Sequence, residues 1–424
     1  MKNVETKEAT DDFVFDKRLY VVFLIIFTEV LGFSIVIPLL PFLGLSIGLT
    51  PVQIGLIISV FSFCQLFASP ITGRLSDHFG RKPLFILSQV STFLGFIFLG
   101  FATTAILLIL ARLIDGLFGS NMTVSQAYIS DITKPKHRTR VYGYSSGVFG
   151  AGLIFGPAIG GLLSRINYSV PMFFAAAITL VSIILVILFL PETIPKKTEK
   201  ISLNFNDVVP VDNVKHFAKT PKVRNSLLMF FLYTMAFFLF ISNLSLLGIA
   251  QFHITAQQVS FFMVWIGIIR VSVQTVLIAR ILRFFGENRV LLIGVFFMII
   301  SMVALVFSTE YLFVFVPLVF LAFGTGVGRP ILTSRLANSV SQKETGAIMG
   351  VNNSLTSVSQ IISPIFGGFI IEYLAPQTLS LMSAMIFTLL ILFLRNTTKN
   401  YPDEILTDSY DKTEEFQEIE PSDW

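Results

Sequence analysis

Charged residues are scarce in this chain: Asp, Glu, Lys and Arg make up 13% of its 424 residues, against about 25% in an ordinary soluble domain. Hydrophobic residues account for 54%, among them 45 Phe. A large soluble helical protein is excluded, because its helices would carry polar faces at a period of about 3.6 residues, whereas the runs here are apolar nearly all round. The composition therefore indicates a polytopic membrane protein.

Cysteine is nearly absent as well, since Cys64 is the single one. This excludes an internal disulfide and a cysteine-rich zinc site, and we interpret Cys64 as a small apolar helix residue. The sequence also lacks a phosphate-binding loop, a cluster of metal ligands and a nucleophile–base pair. We expect no enzymatic activity, no metal and no cofactor. The first sixteen residues are polar and acidic, so we expect the first apolar run, and not a cleaved signal peptide, to direct insertion.

Apolar runs long enough to cross a bilayer recur along the chain. A membrane-spanning helix needs about 20 mainly apolar residues. The sequence predicts twelve such helices, called spans 1 to 12 here: 19–42, 52–72, 84–101, 104–130, 142–163, 170–190, 226–249, 258–279, 290–308, 312–336, 345–371 and 377–395. The expected fold is an all-α polytopic membrane protein with twelve transmembrane helices in two pseudo-symmetric six-helix bundles.

Basic residues predict the orientation. Of the 30 Lys and Arg, 26 lie in the segments that share a side with both termini, and only Arg165 lies in a loop on the other side. Basic loops stay in the cytoplasm, so we expect both termini to be cytoplasmic and the protein to lie in the cell membrane. The net charge of +4 then reflects insertion and gives no reason to expect a nucleic-acid partner.

Two motifs recur in the second half of the chain. "GRLSDHFGRK" at 73–82 has a weaker echo in "ARILRFFGENR", which aligns Gly80 with Gly286 at an offset of 206. "FGPAIGG" is echoed by "SPIFGG", which aligns Pro157 with Pro364 at an offset of 207. Two matches at nearly one offset predict homologous halves of six spans, related as a parallel repeat.

The repeat and the charge pattern together predict the organisation of the chain. A Lys-rich segment separates the two halves, and the last residues are acidic without an apolar period. The predicted parts are an N-terminal cytoplasmic tail (1–18), an N-terminal bundle (19–190), a cytoplasmic linker (191–225), a C-terminal bundle (226–395) and an acidic, disordered cytoplasmic tail (396–424).

The loop between spans 2 and 3 carries five ionisable side chains in ten residues. Gly73 and Gly80 permit close approach and positive φ, while Arg81 and Lys82 are typical of a cytoplasmic loop. Asp77 is the exception, because basic residues alone would be enough to keep this loop in the cytoplasm. Its carboxylate is well placed to accept from a helix N-terminus or an arginine.

These residues resemble a known family. "GRLSDHFGRK" is similar to the loop signature of the major facilitator superfamily, departing from it at His78, where a basic residue is usual. "GLIFGPAIGG" (152–161) matches the fifth-span signature of the drug:proton antiporters, which include the tetracycline-resistance proteins. "TEVLGFSIVIPLLPF" (28–42) and "ARLIDGLFGSNMTVSQAYISDIT" (111–133) resemble their first and fourth spans.

The resemblance implies roles for two motifs. In the family the loop arginine pairs with an acid at the end of span 4, which implies a conformational latch between Arg81 and Asp131, with Asp77 facing the start of span 11. The fifth-span match implies antiport. Its members are Gly152, Gly156, Pro157, Gly160 and Gly161. Glycines at every fourth residue also let helices pack closely, so helix packing explains this ridge equally well.

Ionisable groups inside the spans are functional candidates, because each costs roughly 2.5–3.5 kcal/mol to insert. Glu29 and Asp115 are the two carboxylates there. Asp115 follows Arg112 by three residues, so the two can pair on one helical face. Glu29 has no such partner, and burial disfavours its charge. We predict that Glu29 carries a proton and that Arg112 favours its deprotonation. The alternative is that Arg112 and Asp115 only fix span 4 to its neighbours.

Polar residues facing the central cavity are the candidates for substrate contact. Gln126 shares a face of span 4 with Arg112, and Asn243, Arg270 and Gln274 lie in spans 7 and 8. Arg270 indicates either an anionic or zwitterionic substrate or a counter-charge to Glu29.

Three hypotheses of function follow. The first is a monomeric, proton-coupled exporter of small amphipathic compounds, with a small-molecule substrate, protons and the lipid bilayer as its partners. The second is a proton symporter or facilitator for a defined metabolite, such as a sugar or an organic anion. The third is a transporter-like receptor without flux, which leaves the buried charges unexplained.

Overall fold

The computed structural model describes residues 15–194 and 211–397, and all regular structure in these residues is helical. Most of the two predicted tails, together with part of the predicted linker, lies outside the described residues. The described part of the linker contains one short helix, Val211–Ala218.

The N-terminal half contains six spans. Spans 1, 2, 3, 5 and 6 are the helices Arg18–Ser46, Pro51–Phe79, Arg81–Gly100, Arg138–Leu163 and Ser169–Phe189. Span 4 is two helices, Ala105–Phe118 and Asn121–Ile132, which are separated at Gly119 and Ser120. A short 3₁₀ turn, Pro135–His137, leads into span 5.

The C-terminal half repeats this plan. Span 7 consists of Pro221–Ile241 and Leu244–Phe252, so it begins before the predicted position 226. Span 8 begins with Ala256–Ser272 and continues through a π-helical turn, Val273–Leu277. Its last residues and span 9 lie within Ile278–Phe307, and spans 10, 11 and 12 are Phe315–Ala337, Thr345–Tyr373 and Gln377–Thr397. A 3₁₀ turn, Tyr311–Val314, precedes span 10.

Gly286 separates spans 8 and 9. Eleven helical stretches of the described chain are long and apolar enough to cross a membrane, and one of them, Ala256–Phe307, has 52 residues. At 1.5 Å per residue it would extend about 78 Å, although the hydrocarbon core is about 30 Å thick. Gly286 breaks it with φ 73° and ψ 157°, which confirms the prediction of a twelve-span all-α fold. Gly80, its counterpart in the repeat, has φ 102° and ψ 161°.

The two halves contact each other at the face opposite the chain termini. The Ser59 hydroxyl of span 2 donates to the Ile361 carbonyl of span 11 at 2.6 Å, and the Val52 amide donates to Glu372 at 3.0 Å. Arg165, after span 5, donates to Gln257 of span 8 at 2.5 Å. All these contacts lie towards the far ends of their spans, so the cavity between the halves is closed there.

At the terminal face the same spans stand apart. Apart from its own helix backbone and chain neighbours, a Cβ atom added at Gly143 or Gly147 of span 5, or at Gly346 or Gly350 of span 11, would meet no atom of the described chain within 4 Å. The molecule is therefore open towards the face at which the chain termini lie. With the predicted orientation, this is an inward-open conformation.

The short helix Val211–Ala218 packs on the terminal end of the C-terminal half. Phe217 is buried in a cluster with residues of spans 7, 10 and 11. Glu344, just before span 11, accepts hydrogen bonds from Ser341 and pairs with His216 at 3.3 Å. These hydrogen bonds, chiefly that from the Ser341 hydroxyl, lower the pKa of the exposed Glu344 carboxyl.

Candidate functional site

The Glu29 carboxylate lies in span 1 beside the break in span 4. The Asn121 side-chain amide donates to Glu29 Oε2 at 2.7 Å. Asn121 is fully buried and also lies 3.2 Å from Thr92 Oγ1 of span 3. Because Asn121 begins the second helix of span 4, the break at Gly119 and Ser120 determines where this amide lies. Spans 1, 3 and 4 are thus joined at one polar point.

Arg112 and Asp115 form a loose, buried ion pair one turn before that break. The Arg112 Nη2 atom lies 3.6 Å from Asp115 Oδ2, beyond hydrogen-bonding distance. In the described chain, Arg112 Nε and Nη2 and Asp115 Oδ1 have no hydrogen-bond partner. The guanidinium also lies over the Phe61 ring, 5.4 Å from its centroid. Glu29 interacts electrostatically with both Arg112 and Asp115. The three residues predicted to couple transport to protons therefore share one site.

The break in span 4 depends on close contacts around Gly119. A Cβ atom here would clash with the backbone carbonyl of Asp115 and lie 2.7 Å from its Oδ1 atom. The Gln65 side chain of span 2 donates to the Gly119 carbonyl at 2.6 Å and satisfies a backbone group that the break exposes. Sequence reasoning missed Gln65, Thr92 and Asn121, because it looked for charged groups and neutral amides and hydroxyls stand out less in an apolar run.

Spans 3 and 4 contain further buried polar groups. Gln89 is fully buried, and neither its amide nitrogen nor its oxygen has a partner in the described chain. Ser88 and Ser125 are buried in the same way. Buried polar groups without protein partners usually bind water. Their position, one turn from Thr92 and Asn121, extends the polar site towards the terminal face.

Arg81 lies at the centre of the loop motif and is almost fully buried. Its Nε atom donates to Asp131 Oδ2 at 2.9 Å, so the structure brings together the two residues of the predicted latch. Its other nitrogens reach Ser76 Oγ and Asp77 Oδ1, both at 2.6 Å. Glu192, which sequence reasoning missed, accepts from the backbone amides of Arg81 and Lys82 at the start of span 3.

The remaining loop residues support this arrangement. Gly80 has a left-handed φ of 102°, and an added Cβ atom would clash with Glu192. Gly73 faces Thr123 of span 4 at 3.5 Å, measured from an added Cβ atom. The Lys82 ammonium donates to the Ile187 carbonyl of span 6 at 2.8 Å.

Asp77 does not face span 11 in this conformation, contrary to the expectation from the family. Its side chain is 56% exposed, and its ion pair is with Arg81 in its own half. The start of span 11 is open around Gly346 and Gly350. The reason is the separation of the two halves at the terminal face.

The C-terminal half has an equivalent of the latch with the charges reversed. Glu287 follows Gly286 as Arg81 follows Gly80. Its carboxylate accepts from Arg335 near the end of span 10, and the Asn288 side chain accepts from the same guanidinium. In one half the loop supplies the cation, and in the other it supplies the anion.

The glycine ridge of span 5 packs on span 1. A Cβ atom at Gly156 would overlap the Ser34 hydroxyl, and one at Gly152 would lie 2.9 Å from Val30. Gly160 faces Ile35 in the same way at 3.3 Å. The Ser34 hydroxyl donates to the Gly152 carbonyl at 2.9 Å.

Two further members of the motif complete this side of span 5. Gly161 faces Ser260 of span 8, 2.5 Å from an added Cβ atom. Pro157 is buried within the helix. The motif therefore holds the helix that carries Glu29, and it extends to the C-terminal half.

The four predicted substrate contacts lie in different surroundings. The prediction that Asn243 contacts substrate is wrong for this conformation. Asn243 is fully buried at the break in span 7, and its amide donates to the Leu239 and Ser363 carbonyls at 3.0 Å. It joins spans 7 and 11 and does not face the cavity in this structure. Gln126 is exposed, Gln274 lies in the π-helical turn of span 8, and Arg270 is half-buried just before that turn.

Comparison with known proteins agrees with these observations. A sequence profile described as Major Facilitator Superfamily matches residues 22–308 and 227–413. The class H tetracycline resistance protein of Pasteurella multocida is 28% identical over 89% of this chain and 95% of its own. Multidrug resistance protein 2 of Bacillus subtilis (strain 168) is 27% identical over 84% of this chain and 89% of its own. The solved structure of a mutant of the nucleoside transporter NupG superposes with a TM-score of 0.76 at 13% identity, covering 90% of this chain and 99% of that one.

The fold, the repeat and the profile match identify the same family. The relatives with the names given above are the drug-resistance transporters that the loop and fifth-span motifs predicted. The chain is a multi-pass membrane protein and belongs to the Major Facilitator Superfamily.

Proposed function

We propose that the protein exports small amphipathic compounds in exchange for protons, by alternating access to the two faces of the membrane. Relatives named for resistance to tetracycline, to quinolones and to multiple drugs support export of drug-like compounds. The observation that carries the proton coupling is the shared site of Glu29, Arg112 and Asp115, in which two carboxylates have one cation between them.

The charge balance of this site favours one proton. With both carboxylates ionised and Arg112 charged, the site has a net charge of −1 in surroundings where an unpaired charge is costly. With Glu29 protonated it is neutral. Asp115 then pairs with Arg112, and the Glu29 carboxyl keeps its hydrogen bond with Asn121. Movement of the Arg112 guanidinium towards Glu29 favours release of the proton, because a nearby cation stabilises the carboxylate.

Packing links this proton to the movement of the halves. Glu29 is on span 1, which packs along the glycine ridge of span 5. Span 5 also contacts span 8 through Gly161 and Ser260. A change in the position of span 1 is therefore transmitted to the contact between the two halves.

The test measures proton release from purified protein on addition of tetracycline, followed with a pH-sensitive dye in weakly buffered detergent solution. Glu29→Gln should abolish release and gradient-driven transport while binding persists. Asp115→Asn should lower the folded yield, because Arg112 loses its neighbour, and the folded fraction should still release protons. Glu310→Gln, which removes an exposed carboxylate just before span 10, is the matched control and should behave as wild type. Release that survives Glu29→Gln and disappears with Asp115→Asn would exchange the two roles.

The orientation is part of the proposal, with both termini in the cytoplasm of a monomer in the cell membrane. In a Cys64→Ser background, a cysteine at Ile166 or Gln257 should react with an impermeant thiol reagent added outside intact cells. A cysteine at Lys136 should react only after the cells are opened. Labelling at position 136 in intact cells would invert the topology.

A further inference from the structure

Spans 7 to 12 contain two arginines in their interior, and the carboxylates of this half lie elsewhere. Arg270 is in the middle of span 8 and Arg329 in the middle of span 10. Among the described residues of this half, the acids are Glu287 and Glu344 at the terminal ends and Glu310 and Glu372 at the far ends of the spans. A guanidinium inside a membrane protein normally pairs with an anion or lines a hydrated cavity.

Arg270 and Arg329 lie near each other on neighbouring spans. Arg270 and Arg329 repel each other electrostatically, and both interact with the phenol of Tyr233 in span 7. Packing of the helices explains the grouping. A Cβ atom at Gly326 would lie 3.5 Å from the Arg270 carbonyl, and one at Gly328 would lie 2.8 Å from the Tyr233 ring. Small residues of span 10 thus bring Arg329 up to spans 7 and 8.

In the described chain, neither arginine has an ion-pair partner or a hydrogen-bonded side-chain partner. The carboxylate and guanidinium that Glu29 interacts with are both in the N-terminal half, so Arg270 does not act as its counter-charge in this conformation. Arg270 is half-buried and Arg329 is exposed, so neither side chain is sealed within the packing of the helices.

The backbone of span 8 is irregular close to Arg270. The π-helical turn Val273–Leu277 begins three residues after Arg270, and Val273 packs on Gly326. Short π-helical insertions in helices are frequent at functional sites. Tyr233 is buried to 2% exposure, its ring packed against Gly328 and edge-on to Phe387. The tyrosine is held in place, whereas no ion pair or side-chain hydrogen bond in the described chain fixes either guanidinium.

From these observations we propose that Arg270 and Arg329 form a subsite for an anionic group of the transported compound, such as a carboxylate, sulfonate or phosphate. Two guanidiniums offer forked donors that match the oxygens of such a group. An anion between them removes their mutual repulsion and supplies a negative charge in the interior of this half, where the described spans have no carboxylate. The inference deepens the proposed export and rests on it for the transported compound. It implies that preferred substrates are amphipathic anions or zwitterions, and not simple lipophilic cations.

The experiment compares three ligands of one shape and different charge: 2-naphthoate, 2-naphthamide and 2-naphthylmethylammonium. Binding to purified protein in nanodiscs of phosphatidylcholine is measured by calorimetry without any ion gradient. We expect wild type to bind 2-naphthoate at least tenfold more tightly than the amide, and the ammonium more weakly than the amide. Arg270→Gln and Arg329→Gln should each reduce the preference for the carboxylate to less than threefold and leave amide binding unchanged.

Conservative and distant variants test whether the charge itself is responsible. Arg270→Lys and Arg329→Lys retain the cation and should retain most of the preference, which keeps the test valid if a glutamine variant fails to fold. Arg224→Gln, which removes an exposed arginine at the start of span 7, should leave all three affinities unchanged. A preference for the carboxylate that persists in both glutamine variants, or no preference in wild type, would overturn the proposal.

Two more outcomes separate this inference from the proposed function. If phosphatidylglycerol in the nanodiscs competes with 2-naphthoate in wild type but not in Arg270→Gln, the anionic ligand is a lipid headgroup and the assignment to substrate is wrong. Binding is measured without an ion gradient, so it does not depend on transport. If wild type showed no proton-coupled export in transport assays, the proposed function would be refuted, but the measured preference for the carboxylate would still stand.

Discussion

Exchange of the charges of Arg81 and Asp131 is the sharpest structural test that the molecule offers. The C-terminal half contains the same contact with reversed charges, between Glu287 in the loop and Arg335 at the end of span 10. If the two contacts are equivalent, the N-terminal half should also accept a carboxylate at position 81 and a guanidinium at position 131. The variants are Arg81→Glu, Asp131→Arg and the double exchange.

The structure allows the cost of each variant to be estimated. The Arg81 side chain is 6% exposed and that of Asp131 is 23% exposed. Breaking a buried ion pair costs about 3–5 kcal/mol, and the partial exposure of Asp131 favours the lower end. Each single variant, which places like charges together, should therefore lower the free energy of unfolding by about 3 kcal/mol. The exchange restores an ion pair but sets the new carboxylate at position 81 beside the exposed Asp77, which costs about 0.5–1 kcal/mol.

The assay is a double-mutant cycle on the free energy of unfolding, measured by titration of the detergent-solubilised protein with a denaturing detergent. The double exchange should be within about 1 kcal/mol of wild type, so the two substitutions should be coupled by about 5 kcal/mol. A matched cycle at Glu287 and Arg335 should give coupling of the same sign. Additive single effects, with the double exchange the least stable of the three, would refute the equivalence of the two contacts.

Three further predictions concern packing, transport and pH. Gly156→Ala should lower the free energy of unfolding by about 1–3 kcal/mol, because its Cβ atom would overlap the Ser34 hydroxyl. Gly143→Ala, on the open part of the same helix, should not lower it. Equal melting temperatures for the two variants would contradict this prediction. Asp77→Asn should change stability by less than about 1 kcal/mol. Under the proposed function it should leave substrate binding intact but impair transport, because we expect Asp77 to contact span 11 only when the terminal face is closed. Normal flux in proteoliposomes would show that no such contact matters. Glu344 has a lowered pKa, so its ionised carboxyl stabilises the fold above the usual pKa of a glutamate, and this contribution is lost as the pH falls. The melting temperature of Glu344→Gln should therefore lie below that of wild type near pH 7 and approach it below about pH 4. A difference in melting temperature that does not depend on pH would exclude this role.

The twelve spans could be predicted because span length is a one-dimensional property of the sequence. Apolar runs of about 20 residues have one stable use in a bilayer, and neither neighbours nor tertiary packing alters that. At Gly286, however, length and composition alone do not reveal where one span ends and the next begins. The helical stretch Ala256–Phe307 is continuous by length and composition, and the position of Gly286 in the repeat predicted the break that the structure contains.

The surroundings of Glu29 could not be predicted in the same way. An ionisable group in a span stands out because its insertion into the membrane costs much free energy. The amides of Asn121 and Asn243 cost less, so in the sequence they look like ordinary helix residues. Both asparagines sit at breaks within spans, one beside Glu29 and one joining spans 7 and 11. Their different roles depend on which helices pack together, and a single chain's sequence contains no direct record of that. The sequence also provided no indication of which face of the molecule is open.

The reversed ion pair explains why the second copy of the loop motif resembles the first so weakly. The loop motif ends in Gly-Arg-Lys in one half and in Gly-Glu-Asn in the other, so of these three residues only the glycine is shared. In space, however, the cation has moved from the loop to the end of span 10, and Arg335 occupies the role of Asp131. An ion pair depends on the product of two charges, and reversal of both leaves its Coulomb energy unchanged. The physical contact can therefore be retained while the residues that would reveal it in an alignment are lost, and a glycine with positive φ remains as the part of the motif whose backbone geometry no other residue supplies as readily.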